Sequence, residues 1–269
     1  MVVNRVLTPS PDAPLVARLR AAGCVFAEEE ARLLYAAASG RELDQLVRRR
    51  VAGEPLEHLL GRVEFAGLAL SVGPAAFVPR QRTTLLARLA VSLARVAGRR
   101  PVVVELCCGV APIAAVVLAA LDSVEVIAAD IDPVAVEYAR RNLGPRGLAL
   151  VGDLDAPLPP AVRGRVDVLA VNTPYVPTEA IGALPPEARD HEPRRALDGG
   201  ADGLDVQRRL AEVAFALLAP GGHVLVETSE GQAATAARLF AAAGLAPRVE
   251  HDAGLGATVV LARRDARPG

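Results

Sequence analysis

From residue 102 to residue 262 the chain alternates short apolar runs with helical stripes, and this alternation limits its fold more than any other feature. Residues 102–106 read as a buried strand, 113–121 as a helix, 124–129 as a strand and 134–142 as a helix. Residues 148–151 and 166–171 are further strands. A long Pro- and Gly-rich connection covers 172–203, and a helix over 204–218 is stopped by Pro220-Gly221-Gly222. A strand at 223–227, a helix at 232–243 and a closing pair of strands at 248–251 and 257–262 complete the pattern. Continuous apolar strands need cover on both faces. The spacing therefore predicts an α/β fold with a doubly wound, mostly parallel, seven-stranded sheet.

The first sixty residues differ. Ala31, Leu33, Leu34 and Ala37 form a helical stripe behind the acidic turn Glu28-Glu29-Glu30, and Leu43, Leu46 and Val47 form a second. Arg48, Arg49 and Arg50 fall in its last turn before Gly53 and read as a solvated helix end rather than a nucleic-acid patch. Two short apolar runs around Gly67 suggest a hairpin, and 83–96 a helix. The expected division is a small helical domain over 1–62, a hairpin and linker over 63–82, and the α/β domain over 83–269, with no internal repeat. Residues 1–15 carry prolines and Asp12 where a signal peptide needs an apolar run. The longest apolar stretch, 111–121, is closed by Asp122 and falls short of the roughly 20 residues a bilayer requires.

Charge and rare residues exclude several functions. The 30 basic residues are all arginine, balanced by 31 acidic ones to a net −1, so no overall field draws in nucleic acid or a membrane. Without lysine there is no P-loop lysine, no Schiff base and no kinase-type ATP lysine. Cys24, Cys107 and Cys108 make neither a disulfide framework nor a zinc set, which suits a reducing, cytoplasmic setting. His58, His191, His223 and His251 show no paired-ligand spacing, and no catalytic metal is expected.

Ligands of doubly wound sheets bind beyond the carboxyl ends of the strands. After the first core strand comes Cys107-Cys108-Gly109-Val110-Ala111-Pro112, small residues that let the backbone approach a ligand, ahead of a helix whose free N–H groups suit a carboxylate. Only Gly109 matches the dinucleotide fingerprint, so a pyrophosphate turn is poorly supported. Asp130 ends the second strand where an acidic side chain can take a ribose diol; Asp132 reads as the next helix cap. Asp153 after the third strand suits either a turn or an adenine contact.

The fourth strand ends in Val171-Asn172-Thr173-Pro174-Tyr175. An amide nitrogen is a poor nucleophile because its lone pair is shared with its carbonyl. A site that alkylates it must accept both N–H protons and aim the lone pair at the electrophile. An Asn side-chain oxygen and an adjacent backbone carbonyl are fixed acceptors of that kind, proline stiffens the backbone, and an aromatic ring packs on the planar amide. A Pro-containing loop with an ordinary Asn turn is the plainer alternative.

This segment resembles the NPPY motif of S-adenosylmethionine-dependent methyltransferases that act on amide or exocyclic amino nitrogens. Three further stretches resemble HemK-type protein-(glutamine-N5) methyltransferases. They are Pro55-Leu56-Glu57-His58-Leu59-Leu60-Gly61 with Val63-Glu64-Phe65-Ala66-Gly67, then Phe77-Val78-Pro79-Arg80-Gln81-Arg82-Thr83, and the segment Glu192-Pro193-Arg194-Arg195-Ala196-Leu197-Asp198-Gly199-Gly200-Ala201-Asp202-Gly203-Leu204. The likeness spans nearly the whole chain. It implies a class I methyltransferase domain behind a substrate-docking helical domain, with S-adenosylmethionine as cofactor and S-adenosylhomocysteine as product. It implies that Cys107, Cys108, Gly109, Val110 and Ala111 hold the methionine part of the cofactor, that Asp130 takes the ribose, and that Asp153 and Leu154 border the adenine. Phe77 and Arg80 would close over the cofactor, while Asn172, Thr173, Pro174 and Tyr175 would hold the acceptor amide. The implied partner is a protein bearing the acceptor glutamine, a release factor or ribosomal protein, with no direct nucleic-acid or membrane partner. Thr173 replaces the family's first proline, and Cys107 and Ala111 replace two turn glycines, which marks a divergent member. If those two positions have positive φ, their Cβ atoms are strained. Two other readings stand beside this one. An adenine-N6 methyltransferase of nucleic acid shares the motif, although 3% aromatic residues and no tryptophan weigh against a flipped-base channel. A non-catalytic cofactor-binding module is suggested by Thr173 and the altered turn.

Overall fold

The computed structural model of the chain describes residues 13–98 and 100–266, so the reading of the first twelve residues as lacking a signal peptide falls outside them. The helical part comprises α1 (Ala13–Ala21), α2 (Ala27–Ala37), α3 (Gly40–Val51) and the short α4 (Leu56–Leu60). Leu19, Ala31, Leu34, Val47 and Leu56 close its core. The reading of the arginine run as a solvated helix end holds for Arg48 and Arg49 but not for Arg50, which is 4% exposed. Arg50 Nε donates to Glu30 Oε2 at 2.6 Å and Nη2 to Oε1 at 3.0 Å, a paired fork that keeps a buried guanidinium satisfied. Arg50 also bonds Glu187, far along the chain.

The hairpin expected at Gly67 is β1 (Arg62–Phe65) and β2 (Leu68–Ser71), antiparallel, turned by Ala66 and Gly67, both at positive φ. Ser71 N–H donates to Asn142 Oδ1 at 2.7 Å, Asn142 Nδ2 donates back to Ser71 O at 3.0 Å, and Phe65 lies fully buried in the main core.

The α/β part holds α5 (Thr84–Val96), β3 (Val102–Leu106), α6 (Pro112–Ala120), β4 (Glu125–Asp130), α7 (Pro133–Leu143), β5 (Gly147–Val151) and β6 (Val166–Val171). After the long connection, which contains the short α8 (Pro186–His191), follow α9 (Asp205–Leu217), β7 (Leu218–Thr228), α10 (Glu230–Ala242), β8 (Ala246–Asp252) and β9 (Ala257–Arg263). The sheet order is β5-β4-β3-β6-β7-β9-β8, parallel except where β9 pairs antiparallel with β7 and β8. The expected seven-stranded sheet is therefore present.

Alternate strand residues feed two cores. Val103, Val126, Val168 and Leu225 pack with α5, α6 and α7, while Val104, Ile127, Leu169 and Val226 pack with α9 and α10. One boundary differs from the sequence reading. α9 ends at Leu217, and Pro220-Gly221-Gly222, expected as its stop, lies inside β7, which the chain enters at Leu218. Gly221 N–H reaches Arg264 O at 2.8 Å and Arg264 N–H reaches Gly222 O at 2.9 Å, so the Gly pair is drawn into the sheet as a bulge, opposite a register shift between Val166 and Val168. Strand order reverses between β3 and β6, which makes their carboxyl ends the switch point where ligands of such sheets bind. No helix among the described residues is long and apolar enough to cross a membrane.

Candidate active site

A cavity of about 320 Å³ opens at that switch point. Its walls come from the ends of β3 (Cys107, Cys108, Gly109, Val110), β4 (Asp130), β5 (Asp153, Leu154) and β6 (Asn172, Thr173, Pro174, Tyr175), with Phe77 from the strap of residues 72–83 that joins β2 to α5. These sequence-expected residues share one space. Two do not line it: Ala111, fully buried behind the turn, and Arg80. Arg80 Nη2 donates to the buried Glu192 Oε2 at 2.6 Å and its guanidinium lies 4.7 Å from the Phe77 ring centre, so here it secures the strap. Glu192 also accepts Val78 N–H at 3.1 Å, tying the strap to the long connection.

The turn after β3 carries the strain its composition foreshadows. Cys107 (φ 50°), Gly109 (φ 53°) and Ala111 (φ 59°) are left-handed, as is Leu154 (φ 47°), and three of these four carry a Cβ. The turn is pinned on both sides: Cys108 N–H donates to Ala129 O at 3.1 Å and Ala111 N–H to Cys108 O at 2.7 Å. Burial raises both thiols, which keeps them protonated packing groups.

Asp130 is held from two sides. Oδ2 accepts Gly109 N–H at 2.7 Å and Oδ1 accepts Asp132 N–H at 2.8 Å. Each oxygen keeps a lone pair for a diol, and the space beside the Gly109 Cα is open, so the corner fits a ribose and its flanking chain. Burial raises the Asp130 carboxyl and the two N–H bonds oppose that rise. Asp132 caps α7 as expected, accepting Val134 N–H at 2.9 Å. Asp153 is paired with Arg209 at 2.7 Å at the rim.

Glu105, the one charged residue in an otherwise apolar strand, was legible only as an oddity in that run. It is 2% exposed, and its oxygens accept the N–H groups of Ile113 (3.3 Å) and Ala114 (2.6 Å) at the start of α6. Burial outweighs those bonds and pushes its carboxyl up to about 8. The folded state thus holds this proton more tightly than the unfolded chain does. Its contribution to stability is complete below the ordinary carboxylate range and is lost as pH rises toward about 8. Melting temperatures of the wild type and Glu105→Gln across pH 5 to 8.5 should show a decline in the wild type that the variant lacks.

Residues 172–175 are positioned by several neighbours. Asn172 Nδ2 donates to the buried Thr83 Oγ1 at 3.3 Å, which leaves Oδ1 to accept. Thr173 is 2% exposed and its Oγ1 accepts from Gln207 Nε2 at 3.2 Å. Tyr175 O–H donates to the buried Glu227 Oε1 at 3.3 Å, and the Arg82 guanidinium lies 5.7 Å from its ring centre. Burial, reinforced by the Glu227 charge, pushes the Tyr175 hydroxyl up to about 12, so it remains a neutral donor. Arg82 and Thr83 belong to the motif stretch 77–83 but were given no role there, and Glu227 and Gln207 carry no motif; all four lie far from residues 172–175 in sequence.

The segment 196–204 explains itself in this setting. Val176 N–H donates to Leu197 O at 3.0 Å and Gly199 N–H to Val176 O at 2.9 Å. A Cβ on Gly199 would sit 2.7 Å from Pro174 O, and one on Gly203 (φ 78°) only 2.3 Å from Tyr175 O. The glycines let this strip lie flat against the site backbone. Gly203→Ala is expected to lower stability by about 2 kcal/mol, combining left-handed strain with backbone overlap, as read by denaturant titration.

Among the described residues, no three His, Cys, Asp or Glu side chains group closely enough to hold a metal ion.

No family model matches the chain. Curated relatives do. The release factor glutamine methyltransferase of Geobacter sulfurreducens is 38% identical over 202 residues, covering 74% of this chain and 69% of that one. That of Rhodospirillum rubrum is 36% identical over 272 residues, covering 99% and 78%. Among solved structures, a methyltransferase from Pyrococcus furiosus matches with a TM-score of 0.52 at 18% identity over 81% of this chain and 97% of that one, a likeness of fold.

Proposed function

Because this chain belongs to the release factor glutamine methyltransferase family, we propose that it methylates the side-chain amide nitrogen of a glutamine in a translation release factor, with residues 172–175 holding that amide. The chain is an S-adenosylmethionine-dependent protein-glutamine N5 methyltransferase. The cofactor, when bound, supplies a methyl group made electrophilic by its sulfonium.

What supports the assignment of residues is one observation: Asn172, with its Nδ2 occupied by Thr83, faces the same cavity as Asp130 and the turn after β3. Asn172 Oδ1 accepts one amide proton. Tyr175 O already takes Gln232 Nε2 at 3.0 Å and Pro174 O lies against Gly199, so the Thr173 carbonyl is the acceptor for the other. With both N–H bonds held, the lone pair is turned toward the methyl, and the Tyr175 ring packs on the amide plane. Asp130 would hold the ribose hydroxyls, and the turn from Cys107 to Val110 would border the methionine part. No base is required, because the amide nitrogen sheds its proton only after it has gained the methyl and become acidic. Catalysis here is positioning. The site of action follows from the substrate: release factors work in the cytoplasm.

The test is labelling. Purified protein, radiolabelled cofactor and a release factor should give a protein-bound label that mass spectrometry places on one glutamine. A release factor with that glutamine replaced should take up none. Label on RNA, DNA or another side chain would overturn the proposal.

A further inference from the structure

We infer that Gln207 is a positioning residue for methyl transfer: it fixes Thr173 from the side, doing by hydrogen bond what a proline ring at that position would do covalently. The inference rests on the reading of residues 172–175 as the amide-holding corner.

Gln207 lies in the first turn of α9 and is fully buried, and so is the side chain it meets, Thr173 at 2% exposure. The amide Nε2 of Gln207 donates to Thr173 Oγ1 at 3.2 Å. The other end of that amide is idle. Among the described residues, Gln207 Oε1 is buried without a hydrogen-bond partner. Around it, Leu204, Leu210 and Ala211 belong to the apolar core under the sheet. A buried amide with one end unsatisfied opposes folding, and leucine would fill this place at less expense. Its single polar contact is with the residue whose carbonyl must be aimed, which gives the amide a purpose that stability does not.

The geometry makes such aiming workable. Proline fixes φ near −65°, a restraint that threonine lacks. Threonine is nonetheless stiff at χ1, so anchoring its hydroxyl also restricts the backbone that carries it. The anchor is itself rigid: α9 is packed through Leu210, Ala214 and Leu217, and its Val206 and Arg209 line the same cavity. Thr173 and Gln207 therefore act as a pair, and Thr173 keeps its carbonyl directed only while Gln207 is present.

Gln207→Leu separates this role from simple stabilisation. The expected result is a fall in kcat of about tenfold or more with cofactor affinity changed by less than about twofold, because the acceptor corner and not the cofactor site is loosened. The melting temperature should stay level or rise, since the idle oxygen leaves with the amide; a purely structural bond would lower it and lose activity in step. Thr173→Pro in the Gln207→Leu background should recover kcat by about fivefold or more over Gln207→Leu alone, a coupling that independent sites do not show. If the leucine variant does not fold, Gln207→Met takes its place. Turnover of Gln207→Leu within about twofold of wild type would overturn the inference. So would a double variant no faster than the single one. Asn172→Ala is assayed alongside: full activity there removes the reading of the corner and this inference with it, whereas an inactive Asn172→Ala beside a fully active Gln207→Leu removes the inference alone.

Discussion

Asn172→Ala should lower kcat by about 10²–10³-fold, the range seen when one fixed hydrogen-bonding group is taken from a preorganised site. The side chain ends β6 and its orientation is set by the bond from Nδ2 to Thr83. Truncation removes the Oδ1 acceptor and leaves one N–H of the bound amide without its fixed partner. The lone pair of that amide then relaxes back into conjugation. The cofactor corner, built from Asp130 and the turn after β3, is untouched, so calorimetry should find donor affinity within about twofold of wild type. Equal losses of affinity and turnover would show that Asn172 serves the cofactor instead.

Asp130→Ala should have the opposite signature. Two hydrogen bonds from hydroxyls to a carboxylate are worth about 1.5–3 kcal/mol each, and their joint loss should weaken cofactor binding by about 10²-fold or more while kcat at saturation changes little. Folding should suffer as well, because Gly109 N–H and Asp132 N–H both lose their acceptor. Asp130→Asn retains one oxygen and should fall between the two. Titration calorimetry gives the affinity and thermal melts give the stability. Unchanged affinity in the alanine variant would remove the ribose role.

The fold was legible because its signal is periodic and long. Each parallel strand is covered on both faces, so each reads as an apolar run, and Gly or Pro marks most of the helix ends. What escaped was local. The entry of the chain into β7 through Pro220-Gly221-Gly222 depends on pairing with Arg264, a partner no nearby residue announces. Arg50 sits in a run of arginines that looks solvated, and only the packing of α2 places Glu30 against it. At the site, the residues of the motifs were readable because the strand order brings four strand ends together. The roles of the residues that orient them were not: Thr83, Gln207 and Glu227 act through contacts made across the fold. Arg80 shows the converse. Its motif was readable, but the partner that occupies it, Glu192, could be found only in three dimensions.

Arg50 joins the helical part to α8 through Glu187 while remaining 4% exposed. The Glu187 side of the tether is 46% exposed while the Arg50–Glu30 fork is buried, so raised salt should weaken the tether and leave the fork in place. Removing the helices would strip the catalytic connection of one of its charged moorings, which also include Glu192 on Arg80 and Arg195 on Asp132. The N-terminal helices thus share in holding the catalytic connection, and calorimetry should show the chain melting in one step.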